Sequence, residues 1–119
     1  MSGRTADDLL WNWARWCWSG ETVGNMAPHI PYDDEARDKV LDSDARIVEE
    51  MHAALPWHER MVIIAEYPKK NVMFEGLDSK ARCRVARVWI KERSGVELTD
   101  TQYRLYLGLF KDKVKRRFA

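Results

Sequence analysis

The stretch that most constrains the fold is Thr99-Asp100-Thr101-Gln102 and the residues that follow it. A Thr with a Gln three residues later is a capping box, in which two side chains satisfy backbone N–H groups that a helix start leaves bare. Beyond it, Tyr103, Tyr106, Leu107, Phe110 and Val114 recur as i, i+3, i+4, i+7 and i+11. That is one stripe of a helix, so the spacing predicts a helix from Asp100 to about Arg117 with this stripe facing a core.

The same signals recur upstream. Asp78 or Ser79 caps a helix that continues to Arg93 and stops at Ser94-Gly95, since Gly is favoured just past a helix end. Its predicted apolar face is Ala81, Val85, Val88 and Trp89. Pro68 to Gly76 reads as a connector. Trp57 to about Tyr67 reads as a helix with Pro56 at its start, and Met61-Val62-Ile63-Ile64-Ala65 places it at the centre of the core. From Asp44, the spacing of Ala45, Val48, Met51/His52 and Leu55 is helical, and a helix is also expected from about Asp33, bent near Asp42-Ser43. Glu21 to Tyr32 holds Gly24, Pro28 and Pro31 without a period and reads as a loop. Thr5-Ala6-Asp7-Asp8 starts a helix that ends at Ser19-Gly20. The expectation is an all-α fold with one domain over residues 1–119: a Trp-rich helix and loop at 1–32, and a helical core at 33–119.

Charge divides the chain. The whole carries +1, but Met1 to Glu59 holds 5 Lys/Arg against 12 Asp/Glu, while Arg60 to Ala119 holds 15 against 7. Such segregation fits two partners, a nucleic acid at the basic end and a basic protein surface at the acidic end. The plainer reading is a solvated surface with uneven statistics. Helices 79–93 and 100–117, joined by a Gly-containing turn, have the outline of a helix-turn-helix at 79–117. At 100° per residue Lys80, Arg84, Arg87 and Lys91 fall within about 60° of arc. On the second helix Thr101, Arg104, Gly108, Lys111 and Lys115 share a face beside the buried stripe. Gly108 costs helix stability, which a close approach to another surface would explain. Cations at helix ends also complement the dipole, but that does not account for four aligned along one helix.

Trp11, Trp13, Trp16 and Trp18 crowd into one short helix. Trp13 and Trp16 are expected in the core, and Trp11 or Trp18 partly exposed as a partner-binding surface, because Trp is enriched at interface hot spots. Catalytic and metal patterns are lacking: His29, His52 and His58 are scattered, and neither a phosphate-cradling Gly loop nor a nucleophile motif occurs. No enzyme activity, cofactor or metal is expected. Cys17 and Cys83 form no CxxC pair and read as free thiols of a reducing cytosol, a disulfide being the alternative. No membrane span or signal peptide is legible, so the expected location is the cytoplasm.

Ala45, Val48, Leu55-Pro56, Arg60, Val62-Ile63 and Tyr67 together resemble the opening of the sigma-factor region-four domain, which continues into a two-helix DNA-reading unit. Trp13-x-x-Trp16 with Gly20 resembles the amino terminus of the Q-type late antitermination proteins of lambdoid phages. The resemblance implies a phage transcription antitermination factor in the bacterial host cytosol. Such a factor binds double-stranded late-promoter DNA, engages paused bacterial RNA polymerase and carries it through terminators. By the same likeness Thr101, Gln102, Arg104 and Lys111 would face the groove. The alternatives are a DNA-binding repressor or activator, or an inhibitor of a host nucleic-acid-binding or defence protein.

Overall fold

The computed structural model describes residues 5–18 and 41–119. Among these, five helices are present and no strand: α1 (Ala6–Trp18), α2 (Asp42–Ala53), α3 (Trp57–Glu66), α4 (Ser79–Ser94) and α5 (Asp100–Arg117). The all-α expectation holds. The loop expected at 21–32 and the helix expected from Asp33 lie outside the described residues as far as residue 40; Leu41 is extended, at φ −92° and ψ 101°, and α2 begins at Asp42, where the bend was expected.

Side-chain caps fix the starts of α1, α4 and α5. Thr5 Oγ1 accepts the Asp8 N–H at 3.0 Å, and Asp8 accepts the Thr5 N–H at 3.1 Å. Asp78 Oδ1 accepts the Ala81 N–H at 2.8 Å at the start of α4. The Thr99/Gln102 capping box forms with both bonds, at 2.9 and 3.0 Å. Gly95 ends α4 at φ 78°, a left-handed conformation that costs any other residue, and returns its N–H to the Lys91 carbonyl.

The core gathers Leu9, Leu10, Met61, Val62, Ile63 and Ile90 with Trp13, Tyr103, Phe110 and Val114. Helix α1 packs on α2, while α5 packs on α1, α3 and α4. Of the α5 stripe, Tyr103, Phe110 and Val114 are fully buried, but Tyr106 and Leu107 only partly. Both thiols are free and buried. Burial pushes the Cys17 thiol up to about 12 and the Cys83 thiol up to about 11. Neither is a ready nucleophile.

One expected register is overturned. Helix α4 does not bury Ala81, Val85, Val88 and Trp89: Val85 is 41% and Val88 54% exposed, and Ala81 and Trp89 are half-buried. Its inward residues are Arg82, Cys83, Ala86 and Ile90. The rotation follows from Arg82, only 7% exposed, which grips Glu66 of α3 through Nε to Oε2 and Nη2 to Oε1, both at 3.0 Å. The Tyr103 hydroxyl donates to the same Glu66 Oε2 at 2.7 Å, so one carboxylate joins α3, α4 and α5. The bond to Glu66 raises the Arg82 pKa; burial, then the Glu66 charge, raises that of Tyr103. The guanidinium stays charged and the phenol neutral.

Candidate nucleic-acid interface

With Arg82 turned inward, the stripe predicted on α4 lies toward solvent. Lys80 and Arg84 are exposed and make no hydrogen bond or ion pair with any described residue. The other two are engaged. Arg87 is half-buried and donates from Nε to the Leu98 carbonyl at 3.0 Å. Lys91 pairs with Glu97 at 3.4 Å, an exposed contact that salt and water weaken. Arg87 thus serves the turn. With Leu98 buried, the Ser94 hydroxyl donating to the Ile90 carbonyl at 2.8 Å and the Val96 N–H donating to Ser94 Oγ at 3.1 Å, it pins residues 95–99 between the helices. This turn is longer than the usual three or four residues, yet its backbone is held.

On α5, Thr101, Arg104 and Lys115 are exposed and Lys111 half-buried. Arg104 lies against Asp100 at 3.0 Å, an i,i+4 pair that holds the Asp100 carboxyl below its usual range and raises the guanidinium. A base or phosphate that takes Arg104 must displace Asp100. Gln102 departs from its expected role, since its side-chain carbonyl is committed to the Thr99 N–H and only its amide NH2 remains to read a groove. Gly108 is exposed, and a Cβ added there would meet nothing within 4 Å. No close approach among the described residues explains this glycine. The structure therefore brings Lys80, Arg84, Thr101, Arg104, Lys111 and Lys115 to the outer sides of one helix pair, with Arg87 and Lys91 partly engaged and Gln102 largely so.

The acidic, Trp-rich end looks different. Trp13 and Trp16 are buried and donate their indole N–H groups to Glu49 Oε1 at 3.0 Å and Asp42 Oδ1 at 2.9 Å. The expected partner-binding pair, Trp11 and Trp18, is half-buried and engaged within the chain. Trp18 donates to the Pro68 carbonyl at 2.8 Å, and its ring lies 6.3 Å from that of Trp11. Trp11 meets the edge of Tyr67 at 5.1 Å and carries the Lys70 ammonium 5.6 Å from its centroid. The Tyr67 hydroxyl in turn donates to Asp7 at 2.7 Å. These two indoles anchor the connector after α3, a role that sequence reasoning missed because both partners lie about fifty residues away. It also missed the exposure of Val85 and Val88 on α4, whereas the exposed Leu105 and Leu109 of α5 lie off the predicted stripe. In the sequence, the i, i+3 spacing of Val85 and Val88 looks the same as core spacing.

Among the described residues no helix is long and apolar enough to cross a membrane. Comparison of the chain with protein-family models, with curated proteins and with solved structures finds no match.

Proposed function

We propose that this chain is a DNA-binding transcription factor, with α4 and α5 as the docking helices and antitermination as its mode of action. The observation that carries the DNA reading is the pair Lys80 and Arg84, exposed on α4 and without a hydrogen bond or ion pair among the described residues. Thr101 and Arg104 stand in the first turns of α5, where a second helix of this motif meets base edges. Phosphate contacts from such cations would supply affinity and orientation, and α5 would supply whatever discrimination exists. The antitermination mode rests on the resemblance to Q-type proteins and on the division of charge, with RNA polymerase as the protein partner.

The double variant Lys80→Glu/Arg84→Glu should weaken binding to any duplex and lower the slope of affinity against salt by about one per lost phosphate contact. Wild-type affinity and slope in that variant would remove the α4 face from the reading. Arg104→Ala should instead narrow the gap between specific and nonspecific DNA, by about 1–3 kcal/mol where it reads a base. For the mode of action, purified protein and RNA polymerase should read through a terminator on a late-promoter template. An absence of readthrough at every protein concentration sinks antitermination and leaves repressor or activator.

A second reading has its own observation. Val85, Val88, Leu105 and Leu109 are exposed on the same two helices, which suits a protein surface better than a phosphate backbone. An inhibitor of a nucleic-acid-binding protein would use them, and its complex would survive nuclease treatment.

A further inference from the structure

Away from the basic stripe, a cavity of about 450 Å³ opens between α1, α2, α3 and the end of α4. Nothing in the DNA reading uses it. That volume lies within the range of small-molecule sites. Its aromatic lining is Trp13, Trp57 and Trp89, and its cations are Arg60, Lys69 and Arg93 against one carboxylate, Glu49. Glu49 is engaged by the Trp13 indole at 3.0 Å. Arg60 lies 5.4 Å from the centroid of the Trp57 ring. Indole faces favour a flat ring, and the charge balance favours an anion.

Two further atoms are unexplained by the fold. His52, 2% exposed, lines the cavity with its ring 4.7 Å from that of Trp13. Its Nε2 lies 3.1 Å from the Arg60 carbonyl, an acceptor, which fixes the proton on Nε2 and makes Nδ1 an acceptor. Burial holds this imidazole down at about 4, so it is neutral at physiological pH. Its Nδ1 has no hydrogen-bond partner among the described residues, and neither does the buried Nε of Arg60, which also lines the cavity. Buried polar atoms are usually satisfied, and two orphans on one cavity wall point to something that completes them.

We propose that this cavity binds a small planar aromatic anion that carries an N–H donor. The ring lies among Trp57, Trp89 and Trp13, the anionic group meets Arg93, Lys69 or Arg60, and the N–H serves His52. An aromatic carboxylate and a purine nucleotide share this chemistry.

The test is titration of the full chain with indole-3-acetate and with adenosine 5′-monophosphate, alongside neutral indole and adenosine. Binding is read by calorimetry and by the indole N–H resonances, assigned through single Trp→Phe variants. At least one anion should bind saturably and shift the Trp57 and Trp89 resonances, and Arg93→Glu should weaken it by about tenfold or more. Response to only one of the two anions assigns the class, acid or nucleotide. Trp57→Ala, at an exposed position, should weaken binding with little change in melting temperature. The proposal is overturned by failure of both anions to bind below about 10 mM. It is equally overturned by neutral rings binding as tightly, by shifts at Trp11 and Trp18 instead, or by wild-type affinity in folded Arg93→Glu and Trp57→Ala proteins.

Discussion

Helix α1 and the outer side of α4 both carry residue types that mark binding surfaces, tryptophans on one and cations on the other. In α1, Trp13, Trp16 and Trp18 each give their single N–H to an acceptor inside the chain, at 2.8–3.0 Å. On α4, Lys80 and Arg84 give theirs to no described residue. The first arrangement already spends its directional capacity on holding α1 to α2 and to the connector. The second leaves that capacity for another molecule. Residue type states what a side chain is able to bind, and the whereabouts of its polar atoms state whether it is still available.

That contrast can be broken from either side. The largest effect should come from Glu66→Ala, which strands a buried guanidinium and the Tyr103 hydroxyl: about 3–5 kcal/mol of stability in urea unfolding. A loss below about 1 kcal/mol would mean the three-helix junction is not held by that carboxylate. Next comes His52, packed on Trp13. Unfolded, its imidazole titrates near 6.5, and folded, only near 4. Between those values the unfolded chain takes up a proton that the folded chain refuses. Its contribution is therefore complete above about pH 6.5 and falls by about 3 kcal/mol as the pH drops to 4. His52→Gln should remove that part of the pH profile, and an unchanged profile would place the acid sensitivity elsewhere. Trp18→Phe keeps an aromatic, though smaller, ring and loses the bond to the Pro68 carbonyl, for at least about 1 kcal/mol. Were it neutral in unfolding, α1 would be a looser element than its contacts imply, and Trp18 would return as a partner-binding residue. Smallest of all, Lys80→Ala and Arg84→Ala should each shift stability by less than about 0.5 kcal/mol. A larger shift would show these cations bound to the protein itself, and so unavailable to DNA.

Much of the fold was legible in the sequence because its punctuation is local. Asp78, Gly95 and the Thr99/Gln102 pair act within one turn of themselves, and each of these three signals forms as expected. The register of α4 was not legible. Its sequence offers two apolar rows, Ala81/Val85/Val88/Trp89 and Cys83/Ala86/Ile90, and hydrophobicity favours the first. What selects the second is Arg82 meeting Glu66 sixteen residues earlier, a tertiary contact between two residues that each read as solvated. Leu105, off the predicted stripe, is 52% exposed, so the register of α5 could be read where that of α4 could not. At the candidate interface the stripe itself was readable. The commitments of Arg87 to Leu98, of Gln102 to its own cap and of Trp18 to Pro68 were less so, since two of those partners are backbone carbonyls that carry no residue-type signature.

The carboxylate of Glu66 also sets a limit on dissection. Residues 79–117 look like a portable reading head that could be cut out or grafted onto another scaffold. Excised there, the fragment would keep Arg82 and Tyr103 and leave behind the one group that neutralises the first and accepts from the second. A bare cation on the inner side of a two-helix peptide would then favour separation of the helices over their packing. The smallest transplantable unit must begin no later than α3, and a graft that carries Trp57 to Arg117 should hold its shape where one that starts at Ser79 should not.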